Sequence, residues 1–228
     1  MGAAAAEEAA ALRDRSPAPR RARHEGRSAA HGAGAARTRI GPNALIQAAE
    51  ALSAAHGEQE ALRLFAAAGL ADRFLSPPEE MVEEAEAAAL HRALRLHLGL
   101  GRALAAAADA GARTADYLLA NRIPKPAQAL MKVMPADMAA RFLLKAIARH
   151  AWTFAGSGRV AVQAGRPCRI VVEDGPLARG EAADEPLCAF YAGTFERLFR
   201  VLVHPGARCV ETECAATGHA ACVFEIRW

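Results

Sequence analysis

"CVETECAATGHAACVFEIRW" spans residues 209–228, and its reading decides the fold. It divides into two short extended runs, "ARCVETEC" and "AACVFEIRW", on either side of a turn at "ATGH" (216–219). In the second run Cys222, Phe224 and Ile226 recur at every other position, the period of a strand with one buried face. The same stretch gathers Cys209, Cys214, Cys222, Glu211, Glu213 and His219 within fourteen residues. It reads either as a hairpin with cysteines as small apolar filler or as a hairpin that carries a metal site.

Working backwards, "CAFYAGTFERLFRVLVHPG" (188–206) is a helix, with Phe195, Leu198, Phe199 and Leu202 on one face, and it stops at Pro205-Gly206. Before it, "RVAVQAG" and "CRIVVEDG" are β-type runs joined by a Gly-Arg-Pro turn. The order over 156–228 is therefore β-β-α-β-β. Links this short suit antiparallel pairing, because parallel strands need long crossovers.

Residues 39–155 read as helical. One helix ends near Gly57 and a second near Gly69. Pro77-Pro78-Glu79-Glu80 is expected to start a third, since acids favour the positive end of a helix. Gly99 and Gly101 are expected to bend or break the long apolar stretch that follows. In "ADMAARFLLKAIARHAWTF" (136–154), Met138, Phe142, Ala146 and His150 lie four apart with Leu143, Ile147 and Ala151 alongside, predicting one wide apolar face. The fold class expected is α+β: a helical N-terminal half packed on one face of a four-stranded antiparallel sheet, forming a single domain over 39–228. Residues 1–38, rich in Ala, Arg, Gly and Pro, hold too few large apolar side chains to offset their ordering entropy and are expected to be an unstructured tail.

Composition narrows the function. The net charge is +3, with much of the basic excess in the first forty residues, which argues against nucleic acid as a partner. No secretory signal and no uninterrupted transmembrane stretch is visible, so a cytoplasmic location is expected; cysteines there stay reduced and suit metal better than disulfides. Zinc takes thiolate sulfur together with carboxylate or imidazole in a tetrahedral array. Cys188, at the head of the helix, joins Cys214 and Cys222, with Glu211, Glu213 and His219 as rival fourth donors. Cys168 and Cys209 lack partner spacing and read as buried thiols. No GxGxxG follows a strand, and no flavin or iron–sulfur motif is visible.

"VETECAATGHAACVFEI", with "HAWTFAGSGRV" and "GRPCRIVVEDGPL", resembles the 4-vinyl reductase domain family, and the longer match from Ile40 resembles its bacteriochlorophyll-biosynthesis members. The resemblance implies a fold like that of vesicle-trafficking-particle subunits and a homodimer. Related phenol-responsive sensor domains hold structural zinc with three cysteines and a glutamate. Carried over, that set is Cys188, Glu211, Cys214 and Cys222. Glu211 and Cys214 are an odd interval apart, so a bulge or turn must bring both to one face. The family name implies reduction of the 8-vinyl group of a divinyl chlorophyllide with NADPH as the donor. The missing dinucleotide motif points instead to an accessory protein that binds a Mg-porphyrin or chlorophyllide and works beside pigment-biosynthesis enzymes; a small-molecule sensor domain is the third possibility. Met134, Phe142, His150, Trp152 and Phe154, with Met131 as further wall, are the expected ligand-binding residues. Arg122, Lys125 or Lys132 would meet a carboxylate.

Overall fold

The computed structural model describes residues 38–228. The expected tail therefore lies, except for Thr38, outside the described residues. The helical half contains α1 (Asn43–His56), α2 (Glu58–Ala67), α3 (Ala71–Leu75), α4 (Glu84–Leu98), α5 (Leu100–Asn121), α6 (Lys125–Val133), α7 (Ala136–Arg149) and the single turn α8 (Trp152–Ala155). Gly99, at φ +78°, separates α4 from α5, so the expected break occurs there, and Gly101 lies within α5.

The expected helix start at Pro77–Glu80 is corrected. Val82–Glu83 (β2) pairs antiparallel with Arg39–Ile40 (β1), and the helix begins only at Glu84, whose backbone N–H donates to Thr38 O at 2.7 Å. Extended pairing to the start of the domain overrides the local acid-rich signal.

The second half follows the expected order: β3 (Arg159–Gln163), β4 (Cys168–Glu173), α9 (Ala189–Leu202), β5 (Arg208–Glu213) and β6 (Cys222–Arg227). The sheet order is β3-β4-β6-β5, antiparallel throughout. Cys168, Ile170 and Val172 on β4 and Cys222, Phe224 and Ile226 on β6 are buried. The opposite face carries ion pairs between directly paired residues, Arg159–Glu173 and Arg169–Glu225. The period-two alternation thus sorts one dry face and one wet face.

Helix α9 is the axis of the molecule. It buries Phe190, Tyr191, Thr194, Phe195, Leu198, Phe199 and Leu202, and contacts α5, β5 and β6. Phe154, Tyr191, Phe195 and Phe224 form a cluster of mostly edge-on rings, with centroids 5.4–6.3 Å apart. Against α5 the approach is closer than any side chain would allow. A Cβ on Gly111 would stand 2.1 Å from Phe190 O, and one on Gly193 would stand 2.3 Å from Ala108 O. Thr194 Oγ1 lies 3.1 Å from Gly111 O and 2.8 Å from Phe190 O across this crossing. Buried residues from both halves form one continuous core.

A buried carboxylate ties the halves together. Glu84 accepts from Ser157 N–H and Ser157 Oγ, each at 2.8 Å, and from Arg179 Nη1 at 2.7 Å. Gly156, at φ +58°, leaves the room: a Cβ there would lie 1.9 Å from Glu84 Oε2.

Candidate metal centre and an exposed basic–apolar face

Four side chains converge where α9 meets the final hairpin. Cys188 is the N-cap residue of α9, Cys214 directly follows β5, and Cys222 opens β6. Glu211 pairs with Phe224 and Glu213 with Val223, leaving Thr212 as the extra residue of a bulge. This is the irregularity that the odd interval requires, and it turns both Glu211 and Cys214 toward Cys188. The ligand atoms of Cys188, Glu211, Cys214 and Cys222 all lie within 4.8 Å of one another. Glu213 and His219 are exposed and face each other at 3.7 Å, away from the cluster. Cys168 is buried as expected, and Cys209 is partly so.

The donor set fits a tetrahedral ion. Cys222 Sγ lies 3.6 Å from Cys188 Sγ and 3.8 Å from Cys214 Sγ. Two sulfurs about 2.3 Å from a tetrahedral zinc are about 3.8 Å apart. Glu211 Oε2 accepts the Cys188 N–H at 2.7 Å, while its Oε1 is buried and finds no hydrogen-bond partner among the described residues. A buried acceptor of that kind is costly unless something binds it. Electrostatics points the same way. Hydrogen bonds from the Cys188 and Cys222 thiols hold Cys214 far below the usual thiol range, burial pushes Glu211 up to about 8, and hydrogen bonding to Cys214 and Cys222 raises Cys188 well above the usual value. A divalent cation would relieve this crowding of anionic donors. The Ala215 N–H also points at Cys222 Sγ, at 3.4 Å. With four protein donors and only Glu211 less than fully buried, the arrangement is that of a structural rather than a catalytic zinc site.

The five expected ligand residues do not share a cavity. Phe154 belongs to the aromatic core beside Tyr191 and Phe195, and Met134 is half-buried against the core. Met131 is buried. Phe142, His150 and Trp152 are exposed, as is Met138. The apolar face expected on α7 is thus corrected: the core takes Ala139, Ala140, Leu143, Leu144 and Ile147, and the Met138–Phe142 edge turns outward. Two open clefts, of about 260 Å³ beside Arg39, Arg73 and Met81 and about 190 Å³ beside Asp137, Arg141, Arg166 and Trp228, include none of the five.

Around Phe142 and His150 the exposed residues are basic: Arg141, Lys145 and Arg149 on α7, with Arg122, Lys125 and Lys132 nearby in sequence. Sequence reasoning passed over the α7 cations. Their spacing of four, with Asp137 the only acid between 122 and 152, was the available signal. His150 Nδ1 lies 2.9 Å from Ala146 O. A carbonyl only accepts, so Nδ1 carries the proton and Nε2 keeps its lone pair, directed away from the backbone.

The family model of the vinyl-4-reductase domain matches residues 168–228, the span from β4 through α9 to the end of the final hairpin. The chain is 45% identical over 188 residues to the bacteriochlorophyll synthase 23 kDa chain of Cereibacter sphaeroides, covering 82% of this chain and 90% of that one. It is 41% identical over 192 residues to the protein of the same name in Rhodobacter capsulatus, covering 82% and 85%. Among solved structures, it is similar to the phenol-responsive sensory domain of the transcription activator PoxR (18% identity, 65% of this chain and 77% of that one, TM-score 0.45). It is also similar to a vinyl-4-reductase family protein of Methanocaldococcus jannaschii (14%, 74% and 92%, 0.33) and to trafficking protein particle complex subunit 3 of Naegleria fowleri (16%, 73% and 92%, 0.37). The chain belongs to the vinyl-4-reductase domain family and, within it, to the group of bacteriochlorophyll synthase 23 kDa chains.

Proposed function

We propose that this protein serves bacteriochlorophyll biosynthesis by binding a Mg-tetrapyrrole intermediate, a Mg-porphyrin or chlorophyllide, without transforming it. The observation that carries the first part is the 45% identity that runs through 90% of a bacteriochlorophyll synthase 23 kDa chain. The binding part draws on the chemistry of the surface. A magnesium tetrapyrrole offers a broad apolar face, an open axial position on the metal and anionic carboxylates. Phe142 and Trp152 offer exposed apolar area, His150 Nε2 an axial nitrogen, and Lys145 and Arg149 cations for a carboxylate. The cysteine cluster, in this reading, holds zinc through Cys188, Glu211, Cys214 and Cys222. It clips the last hairpin to the head of α9 and takes no part in pigment chemistry.

Titrating the purified protein with Mg-protoporphyrin or divinyl chlorophyllide, with NADPH present, tests this. A saturable shift of the pigment absorbance with no reduction of the vinyl group is expected. His150→Ala should abolish the axial component of the shift. Turnover of the vinyl group by the pure chain would replace binding with reduction.

A further inference from the structure

The cations of the described residues are not evenly distributed. The three lysines of the whole chain, Lys125, Lys132 and Lys145, fall within 125–145. Residues 122–152 hold six Lys or Arg against one Asp, a net +5. Residues 1–37 carry seven Arg against four acids, a net +3. With the chain at +3 in all, the remainder carries −5. Ion pairing divides the same way. Outside 122–152, every arginine of the described residues except Arg102 is paired with an acid. Arg122, Lys125, Lys132, Arg141, Lys145 and Arg149 have no acidic partner among the described residues, and the one acid of the segment, Asp137, is taken by Arg166 at 3.0 Å.

The exposed apolar side chains collect in the same place. Of the eight large hydrophobic residues exposed in the structure, five are Leu130, Val133, Met138, Phe142 and Trp152; Val133 is 80% exposed. On α7, Met138, Arg141, Phe142, Lys145 and Arg149 lie within an arc of about 100° at helical spacing. Ala139, Leu143, Leu144 and Ile147 fill the opposite side. On α6, Leu130, Lys132 and Val133 are exposed, while Gln128 and Met131 are buried. Both helices contact α9, so their buried sides turn toward the core and their basic–apolar sides turn outward. Apolar side chains flanked by unpaired cations match an interface whose surface is anionic and whose interior is hydrocarbon.

We propose that α6 and α7 dock this face onto an anionic lipid bilayer, in the plane of the headgroups. Among the described residues no helix is long and apolar enough to cross a membrane, so the attachment is peripheral. Charge decides between occupants. A second copy on a two-fold axis would set +5 against +5, and the tail, at +3, is also of like sign. A nucleic acid would gain nothing from Val133 and Leu130. The inference does not depend on pigment binding, and it is tested without pigment.

The test is co-sedimentation of the full-length protein with vesicles of phosphatidylcholine, or of an equimolar phosphatidylcholine–phosphatidylglycerol mixture. The wild type should partition onto the mixed vesicles and not the neutral ones. Lys132→Glu and Lys145→Glu should each weaken binding by about fivefold or more. Val133→Asp should weaken it by about tenfold, whereas Leu96→Asp, at an exposed leucine elsewhere, should leave it unchanged. Unaltered melting curves show that the variants fold. Absence of wild-type binding to the mixed vesicles overturns the proposal, as does a Val133→Asp protein that binds like wild type. Concentration-dependent dimerisation that Val133→Asp abolishes, with no vesicle binding, assigns the face to a second copy instead.

Discussion

One substitution made twice in the same helix should give opposite results. Gly101 and Gly111 both lie in α5. At Gly101 an added Cβ meets nothing within 4 Å, so Gly101→Ala should act through the unfolded chain alone and stabilise by about 0.5 kcal/mol. At Gly111 the added carbon would lie 2.1 Å from Phe190 O and 2.9 Å from Thr194 N. An ordinary carbon–oxygen contact is about 3.3 Å, so α5 and α9 would have to separate by about 1 Å. That loosens the crossing through which the two halves share a core and strains the Thr194 hydroxyl bridge. Overpacking of this kind costs about 3 kcal/mol. In a protein of this size it lowers the melting temperature by about 10 °C, against a rise of about 1–2 °C for Gly101→Ala. Thermal unfolding followed by circular dichroism reads both. A Gly111→Ala protein that melts within about a degree of wild type would refute the close backbone approach and the account of how α9 is seated.

Two further outcomes are expected. His91 is buried edge-on to Phe190, and its Nε2 has no hydrogen-bond partner among the described residues; burial, assisted by Arg95, lowers its pKa to about 4. The folded state therefore prefers the neutral ring. The stability this provides, about 3 kcal/mol, is complete above the unfolded value near 6.5 and is lost as pH falls from there to about 4. Urea unfolding across that range should show it, and His91→Leu should flatten the slope; an unchanged slope would place the protonation elsewhere. Elemental analysis of the wild type should find about one zinc per chain. Cys214→Ser should lose it together with a large part of the thermal stability, because binding and folding are coupled. A zinc-free wild type that melts like the loaded protein would remove the metal from the account.

The sheet was legible because a half-wet sheet prints its burial on the chain with period two: Cys222, Phe224 and Ile226 face in, and Val223 and Glu225 face out. The bulge at Thr212 was legible for a related reason, since only an extra residue reconciles Glu211 and Cys214 on one face. Helix α7 was not, because its sequence carries two apolar arcs. Spacing alone does not say whether Met138–Phe142 or Leu143–Ile147 meets the core; the position of α9 does. The same reason hides the Gly111–Gly193 crossing and the Glu84–Arg179 pair, whose partners lie far apart in the chain. The start of α4 was misplaced because the acids at 79–80 satisfy a local rule that pairing with β1 overrides.

The central claim is that this chain binds a Mg-tetrapyrrole and leaves it chemically unchanged. The most direct measurement is the absorbance titration of divinyl chlorophyllide with pure protein and NADPH, comparing wild type with His150→Ala. The account predicts a saturable spectral shift in the wild type, loss of its axial component in the variant, and an intact vinyl group throughout. No spectral change at saturating protein, or a pigment recovered with its vinyl group reduced, would contradict it.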